Sequence, residues 1–414
     1  MSFSWIEDLV NEYRDVETPE SWIYWSLMCC ISAAAANAYT LISFKGNHVY
    51  YPNIYVILMG ESGLGKGFPV SLAEKLVRAS DCTRVIAGRS SIQAIIKEGA
   101  TTRTKQDKKL ITDSRMFVVN GELSTAIIAD PDSLTILTDL FDRNYRQEWT
   151  NMLKGDGHEK LKEPYITCLF GSSPAHFYAK IPQDNIEGGY IGRNLVIYEE
   201  ERARYVDPID SEEEAFDKDR FTNYIIPKFV PHLIKIAANK ERMRFEESAR
   251  VRYNAWRREW RDNQAQYKDR TGFVNRVPDH VLKTAMLLTL GRYENNTVIP
   301  LCDVNEAIIK ITNLIYASAK AAEGGGLDPL AAQTKKVVDF LISAPDNSLL
   351  RRELLIRGYG DYDTVILDKI LDTLIEMKWV KRERIGVGKN IDYQYFLSGE
   401  PKESLMKFRM RNKE

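Results

Sequence analysis

A glycine-rich segment at residues 60–67 carries the residue types that bind nucleoside phosphates. It reads Gly-Glu-Ser-Gly-Leu-Gly-Lys-Gly and matches the G-x-x-x-x-G-K pattern of a P-loop. In such a loop, backbone N–H groups and the positive end of the following helix surround the phosphates, and the lysine neutralises their charge. We therefore predict that six residues bind the phosphates of ATP: Gly60, Ser62, Gly63, Gly65, Lys66 and Gly67.

The residues on either side of this segment have the pattern that a P-loop requires. Ile54–Met59 is a short apolar run rich in β-branched residues, which is typical of a buried strand. Residues 70–78 predict a helix, with Pro69 just before them. An ordinary glycine turn between a strand and a helix is the alternative interpretation, but the order strand, turn, helix favours the P-loop.

An acidic residue follows a second predicted strand. Met116–Val119 is apolar and leads into Asn120, Gly121 and Glu122. NTPases use a residue near the P-loop to orient the attacking water, and the end of a neighbouring strand is a suitable place for it. We predict this role for Glu122, and a solvated acid at a strand end is the alternative.

Both positions that usually bind Mg²⁺ beside a P-loop are glycine in this chain. Gly67 stands where a serine or threonine hydroxyl is normal, and Gly121 stands where an aspartate is expected. Either Mg²⁺ is held by water and another carboxylate, such as Glu122, or the bound nucleotide serves as a structural switch. The metal-binding residues therefore stay unassigned.

Basic residues cluster in a predicted β-hairpin. Two alternating runs, 147–154 and 158–162, flank the turn Gly155-Asp156-Gly157. Their positive charges either contact nucleic-acid phosphates or form an ordinary solvated face. The residues concerned are Lys154, His158, Lys160 and Lys162.

Two more predicted strands complete an α/β pattern. Tyr165–Phe170 is followed by Ser172 and Ser173, and Asn194–Tyr198 follows a glycine-rich turn that ends at Arg193. Strands that alternate with helices predict a mainly parallel sheet. After the glycine-rich linker 323–327, three predicted helices and a hairpin suggest a winged helix.

The order of these features resembles an AAA+ ATPase core. Residues 192–196, Gly-Arg-Asn-Leu-Val, are similar to the arginine-finger site of ring-forming helicases, and the hairpin is similar to the pre-sensor hairpin of superfamily III and minichromosome-maintenance helicases. More closely, the chain resembles a helicase-like family of phage and mobile-element P-loop proteins with a domain of unknown function, usually encoded among replication genes. The resemblance covers about residues 20–300.

This resemblance implies roles for particular residues. Lys66 would bind phosphate, Glu122 would orient water, and Ser172 or Ser173 would sense the γ-phosphate. Arg193 would act on the nucleotide of a neighbouring subunit, with an ordinary surface arginine as the alternative, because a glycine turn before a strand is common. The hairpin lysines and histidine would line a pore and track DNA phosphates. Arg276 or Lys283 would be the second sensor.

The resemblance also implies a division of the chain and a function. The expected parts are an N-terminal helical segment with strands (1–50), an AAA+-like core (51–210), a helical lid (211–325), a winged helix (326–400) and a basic tail (401–414). The expected function is an ATP-driven, ring-forming DNA translocase, a phage replicative helicase. It would use ATP and Mg²⁺, bind single-stranded DNA, form a homo-oligomeric ring such as a hexamer, and meet phage replication proteins.

Two alternatives belong to other classes of protein. One is a nucleotide-binding helicase loader or assembly protein that hydrolyses ATP weakly. The other is a DNA-binding regulator whose winged helix recognises a site on duplex DNA.

Composition adds constraints on partners and location. Lysine and arginine number 57 against 58 acidic residues, so a nucleic-acid partner must be held by local patches. The five cysteines show no metal-binding spacing, which favours a reducing cytoplasm, the host's if the chain is phage-encoded. We expect no signal peptide and no membrane span, because the start is charged and the best candidate, Trp22–Phe44, contains Asn37.

Overall fold

The computed structural model of the chain consists of two compact units, Met1–Gly325 and Gly326–Glu414. Their boundary falls in the predicted linker. The structure describes residues 4–42, 48–88, 90–101, 103–104, 110–111, 114–123, 132–142, 148–152, 158–180, 189–206, 219–267, 269, 271–294, 297–323, 329–385 and 392–398. The predicted basic tail, 401–414, lies outside these residues.

The first unit contains a central sheet, helices on both of its faces and several short ladders. Its helices are α1 (Trp5–Asn11), α2 (Glu20–Ala34), α3 (Gly67–Ser80), α4 (Ile92–Ala100), α5 (Ser133–Asp142), α6 (Pro174–Lys180), α7 (Ile226–Ala238), α8 (Glu247–Asn263), α9 (Phe273–Leu290) and α10 (Leu301–Glu323). Its strands are β1 (Thr40–Ile42), β2 (His48–Tyr50), β3 (Tyr55–Met59), β4 (Arg84–Ala87), β5 (Arg103–Thr104), β6 (Leu110–Ile111), β7 (Arg115–Asn120), β8 (Glu148–Met152), β9 (His158–Lys162), β10 (Tyr165–Ser172), β11 (Asn194–Tyr198), β12 (Arg244–Phe245) and β13 (Val298–Ile299).

The central sheet has five parallel strands in the order β11-β3-β10-β7-β4. This arrangement confirms the predicted α/β class and is consistent with a P-loop-like fold. Because the strands run in one direction, all their carboxyl ends meet at one edge of the sheet. The loops that follow β3, β7 and β10 therefore lie side by side.

Helices cover both faces of the sheet, which explains why its central strands are mainly apolar. On β3, Val56 and Leu58 pack into the same core as α2 and α3, while Tyr55, Ile57 and Met59 pack into the core formed with α4 and α5. Every residue of β3 and β10 is buried. The strand that carries the P-loop is thus fixed from both sides.

Helices α7, α8, α9 and α10 of the first unit pack into the same core as α2 and α3. Tyr253, Trp256 and Trp260 on α8 are buried, with 6–7% of each residue exposed. Aromatic residues at helical spacing therefore contribute to the core here. They do not form an exposed surface for stacking bases.

The second unit combines three helices with a three-stranded antiparallel sheet. The elements are α11 (Pro329–Ser343), β14 (Ser348–Leu350), α12 (Arg351–Arg357), α13 (Thr364–Glu376), β15 (Val380–Ile385) and β16 (Asp392–Leu397), and the strand order is β14-β16-β15. Leu367, Ile370, Leu371 and Leu374 bury one side of α13. The sequence predicted the hairpin of β15 and β16 but not β14.

Gly171 lies at a close approach between two backbones. A Cβ atom on this residue of β10 would overlap the carbonyl oxygen of Gly121, in the turn that carries Glu122. The same turn is held by a hydrogen bond from Leu123 N to Gly171 O, at 2.5 Å. Only glycine at this position lets the turn pack on β10.

We expect Gly171→Ala to lower the free energy of unfolding by about 1–3 kcal/mol, because the turn after β7 must move away from β10. Urea denaturation measures this loss. Gly121→Ala is the matched control, since no heavy atom lies within 4 Å of a Cβ built there. Equal stability of the two variants would contradict the close packing.

Candidate nucleotide-binding site

The loop between β3 and α3 has the backbone geometry that its glycines permit. Gly63 and Gly65 adopt φ values of +89° and +91°, in the left-handed region that glycine tolerates best. Helix α3 begins at Gly67, earlier than predicted, because the sequence pattern underrates glycine as a helical residue. Its first N–H groups have no partner within the helix and are available to an anion.

The side chain of Lys66 folds back onto the start of this loop. Its Nζ atom donates to the carbonyl oxygens of Gly60 and Glu61, at 2.6 and 2.7 Å, and lies 5.7 Å from the centre of the Trp22 ring. Partial burial lowers the pKa of Lys66, while the nearby carboxylates of Glu61 and Glu122 act in the opposite direction. A phosphate group offers this ammonium a charged partner in place of two neutral carbonyls.

The start of the loop is fixed by side chains from α2. A Cβ on Gly60 would lie 2.6 Å from the carbonyl oxygen of Glu199 and 2.8 Å from the Trp22 ring. The Trp22 indole donates to Ile197 O at 3.0 Å, and the Ser21 hydroxyl donates to the Glu199 carboxylate at 2.5 Å. Helix α2 thereby joins the P-loop to the end of β11.

Two residues that the sequence analysis missed hold the outer side of the loop. Arg202 donates to Gly63 O at 3.0 Å and pairs with Glu17, and Thr18 donates to Gly65 O at 3.4 Å. In a trans peptide the C=O and N–H point in opposite directions. Anchoring these two carbonyls therefore turns the next two N–H groups towards the other side, where phosphates would bind.

Glu122 lies at the same edge of the sheet as the P-loop. Its backbone N–H donates to the Asn120 side chain at 3.1 Å, and that side chain donates to Gly88 O at 3.0 Å. Glu122 itself is exposed, and its carboxylate is close enough to Lys66 to affect the pKa of that lysine. The structure thus places the predicted water-orienting acid and the predicted phosphate-binding lysine at the same edge of the sheet.

Of the two predicted sensor serines, Ser173 is the better placed. Ser172 is fully buried, and its hydroxyl donates to Ser173 O at 3.2 Å. Ser173 is half-buried, and its hydroxyl accepts from His176 N at 3.3 Å at the start of α6. The carbonyl of Ser172 accepts from Gly60 N at 3.2 Å, so this strand end borders the P-loop directly.

Arg193 lies at the opposite edge of the sheet. The next residue, Asn194, pairs with Tyr55, the first residue of β3, so Arg193 is a strand length of roughly 15 Å from this chain's P-loop. Only 9% of Arg193 is exposed, and its guanidinium binds Asp142 and Gly189 O. Arg193 therefore cannot serve its own P-loop, and an action on a neighbour requires it to leave Asp142.

Neither predicted second sensor reaches this chain's P-loop. Lys283 is buried and donates to the backbone and side-chain oxygens of Asn53, at 2.9 and 2.7 Å, just before β3 begins. Arg276 lies next to Arg193, which helps burial to lower the pKa of Arg276, while Asp142 and Asp279 raise it. Both cations belong to the amino edge of the sheet, because α9 packs against that edge and not against the phosphate loop.

The basic hairpin is an antiparallel pair of β8 and β9, as predicted. Lys160 and Lys162 are exposed, and Lys160 lies 3.5 Å from Glu148 across the ladder. Lys154 lies outside the described residues, as does the side chain of His158, whose backbone begins β9. The other face of the hairpin is buried through Trp149 and Leu161.

A magnesium ion bound together with ATP would have to be held mainly by phosphates and water at this site. Among the described residues, no group of three or more His, Cys, Asp or Glu side chains is arranged to hold a metal. Mg²⁺ commonly keeps several waters and uses one or two carboxylates plus substrate phosphates, and Glu122 is the carboxylate placed to take part. A Cβ atom at Gly67 or Gly121 would meet no heavy atom within 4 Å, so larger side chains have room at both positions.

Comparison of the chain with models of known protein families and with curated proteins found no match. Within the described residues, no helix combines the length and apolar character needed to cross a membrane. The AAA+ resemblance therefore rests on the motif residues and on the sheet that positions them.

Restoring a hydroxyl at the first residue of α3 tests how the metal is held. We expect Gly67→Ser to bind ATP at lower Mg²⁺ concentrations, because the added oxygen supplies a ligand that the chain lacks there. Titration of Mg²⁺ against a fluorescent ATP analogue measures the shift. Gly67→Ala adds a Cβ without the oxygen and serves as the control. An identical Mg²⁺ dependence in the two variants would show that residue 67 is remote from the metal.

Proposed function

We propose that the chain is an ATP-hydrolysing subunit of a homo-oligomeric ring that moves along single-stranded DNA, as a phage replicative helicase does. The observation that carries this proposal is the meeting of the P-loop, Glu122 and Ser173 at one edge of a parallel sheet. In this proposal, Lys66 and the N–H groups around it bind the terminal phosphates, and Glu122 orients a water molecule. A bound Mg²⁺ would neutralise charge that develops on the phosphates.

Arg193 supports the ring in this proposal. It lies far from its own P-loop, so any contact with a phosphate must be with the nucleotide of another subunit. A guanidinium supplied in this way stabilises the charge of the transition state and accelerates hydrolysis by about 10³-fold or more in other NTPases. Each nucleotide-binding site would then be formed by residues of two subunits.

The hairpin supplies the contact with DNA. Its buried face packs on the core and its exposed face presents Lys160 and Lys162, so two fixed positive charges project from a rigid support. Lysines of this kind bind phosphates irrespective of base sequence, which suits a protein that moves along a strand. The balanced net charge of the whole chain makes such a local patch necessary.

We assign the second unit as a winged helix that contacts a protein rather than duplex DNA. The exposed face of α13, the third helix, carries Asp372 and Glu376 against Lys369, together with Asp368, which pairs with Arg351 at 2.8 Å. This acidic surface would repel DNA phosphates. A phage replication protein is a better partner for this surface. The alternative of a DNA-binding regulator is disfavoured, because α13 is unsuited to recognising duplex DNA.

A nucleotide-binding loader with weak hydrolysis is the second candidate. Two observations favour it: Gly67 and Gly121 provide no metal ligand, and Arg193 is engaged within its own subunit. A chain of this kind would bind ATP, change its assembly state and release the nucleotide slowly. Measured turnover separates the two candidates.

A mixing experiment tests whether two subunits complete one site. Lys66→Ala should lose tight ATP binding, and Arg193→Gln should bind ATP but hydrolyse it slowly. A mixture of the two should recover part of the activity, because each variant supplies what its neighbour lacks. Steady-state ATPase rates of the separate and mixed proteins measure this recovery.

The control for this mixture is Lys75→Ala in place of Lys66→Ala, since Lys75 lies on α3 beside Phe221 and away from the loop. Lys75→Ala should hydrolyse ATP without help. A mixture of Lys66→Ala and Arg193→Gln that is no more active than its components would contradict the shared site.

The hairpin lysines are tested by the salt dependence of DNA binding. Replacing Lys160 and Lys162 with alanine should weaken the binding of single-stranded DNA of any sequence. It should also reduce the slope of log K against log salt by up to about 0.7 for each lost phosphate contact. Fluorescence anisotropy at several salt concentrations measures the slope. Replacing Lys235 and Lys240, which lie far away in the chain, is the control, and an equal change in slope would contradict the assignment.

A further inference from the structure

All three guanidinium nitrogen atoms of Arg193 contact oxygen atoms of its own subunit. Its Nε atom lies 3.0 Å from Oδ2 of Asp142, Nη2 contacts the same oxygen, and Nη1 donates to Gly189 O at 2.9 Å. Paired donors of this kind form strong, charge-assisted hydrogen bonds. These contacts hold the guanidinium at the amino edge, so Arg193 must leave them to reach a phosphate away from this edge.

A second arginine, Arg276, lies close to Arg193, and the negative charge of Asp142 offsets the repulsion between the two. A Cβ built on Gly189 would lie 3.0 Å from Nη1 of Arg193 and 3.8 Å from Nη2 of Arg276, so the two guanidinium groups flank the same glycine. Like charges this close repel each other unless a carboxylate lies between or beside them. Removing Asp142 from the cluster would therefore favour movement of Arg193 outwards.

Asp142 is the last residue of α5, and the same helical turn is attached to the hairpin. The indole of Trp149 on β8 donates to Oδ2 of Asp139 at 2.6 Å. Residues three apart on a helix lie on one face, so Asp139 and Asp142 belong to one surface of α5. One side chain of this turn thus binds the hairpin and the other binds Arg193.

The backbone of the last turn of α5 is fixed through Phe141, which confines any change to the exposed side chains of that turn. Phe141 packs on Tyr55 with ring centres 4.9 Å apart, its carbonyl accepts from Asn53 at 3.1 Å, and Lys283 lies 3.8 Å from the centre of its ring. The Tyr55 hydroxyl also donates to Leu137 O at 3.1 Å. Asp142, by contrast, has 48% of its side chain exposed.

From these contacts we infer that Asp142 holds Arg193 inactive within its subunit, and that DNA bound to the hairpin releases it through Trp149 and the last turn of α5. This inference deepens the proposed function and rests on it, since it concerns how the ring's ATPase responds to DNA. Asp142 is a positioning residue: it touches neither nucleotide nor DNA. Without DNA the arginine stays paired in its own subunit, and with DNA it becomes available to the neighbour.

The first test needs no DNA. Asp142→Asn keeps the size of the side chain but removes the charge that holds Arg193. We expect its basal ATPase rate to rise by about fivefold or more, the lower end of typical coupling between sites, and the further stimulation by DNA to shrink by the same factor. Arg193→Gln added to Asp142→Asn should abolish the gain. A basal rate that is unchanged or lower would overturn the inference.

A matched control separates this effect from general loss of an ion pair. Asp262→Asn breaks an exposed aspartate–arginine pair with Arg261 on α8, far from α5 in the chain. Its basal rate should equal that of the unchanged protein. Thermal unfolding of both aspartate variants verifies that each remains folded, and an equal rise in both rates would contradict the role of Asp142.

The second test measures release without nucleotide, so it does not depend on hydrolysis. An oligo-deoxythymidine strand should speed hydrogen exchange in Gly189–Arg193, where the Arg193 amide donates to Tyr190 O at 3.1 Å. Trp149→Phe keeps the ring but loses the indole donor, so it should bind the strand with equal affinity and show no such increase.

The outcomes distinguish this inference from the proposed function. Faster exchange on DNA in a protein without ATPase activity would support the coupling and contradict the motor. DNA-stimulated hydrolysis with unchanged exchange, and an Asp142→Asn variant that behaves like the unchanged protein, would support the motor and overturn the coupling. Release in Trp149→Phe equal to that in the unchanged protein would also overturn it.

Discussion

The common direction of five strands is the constraint on which the candidate site depends. Parallel strands bring the ends of β3, β7 and β10 to one edge, although the residues concerned are far apart in the chain. Burial of both faces fixes these strands, so the loops that follow them inherit a defined separation. The predicted phosphate-binding loop and Glu122 lie at the same edge of the sheet, because each follows the carboxyl end of a parallel strand. At this edge the turn after β7 lies directly on β10, so the two backbones are in close contact at Gly171.

The parts that the sequence predicted correctly depend on local pattern. The P-loop and β11 follow from glycine spacing or from short runs between turn residues, and β11 was predicted with its observed bounds. The parts that it missed depend on contacts between distant segments. Arg202 meets Gly63 across 139 residues, and no periodicity in the chain marks it as a P-loop residue. Lys283, named as a possible second sensor, lies at the amino edge beside Asn53, because position within a helix does not reveal which end of the sheet that helix covers.

The two edges of the sheet differ in their chemistry. The carboxyl edge carries the exposed loop between β3 and α3. The first N–H groups of α3 have no partner within the helix, so this edge is suited to binding an anion from solution. The amino edge buries Arg193 and Lys283, and partly buries Arg276, among carboxylates, amide oxygens and aromatic rings. Strand β3 joins the two, with Asn53 before its start and Gly60 after its end. A signal between subunits would pass from the amino edge of one to the carboxyl edge of the next.

Stability alone is a weak explanation for the polar cluster at the amino edge. Removing charged groups from water costs several kcal/mol for each ion, and well-packed apolar residues of similar volume are often as stable or more so. The faces of the sheet show that this chain builds apolar cores readily, since β3 and β10 are buried along their whole length. Buried arginines next to an exposed aspartate are therefore better explained by a change of partner than by a permanent bond. A guanidinium that must reach a neighbour's phosphate needs a temporary carboxylate in its own subunit, because an unpaired charge in that position would destabilise the free chain.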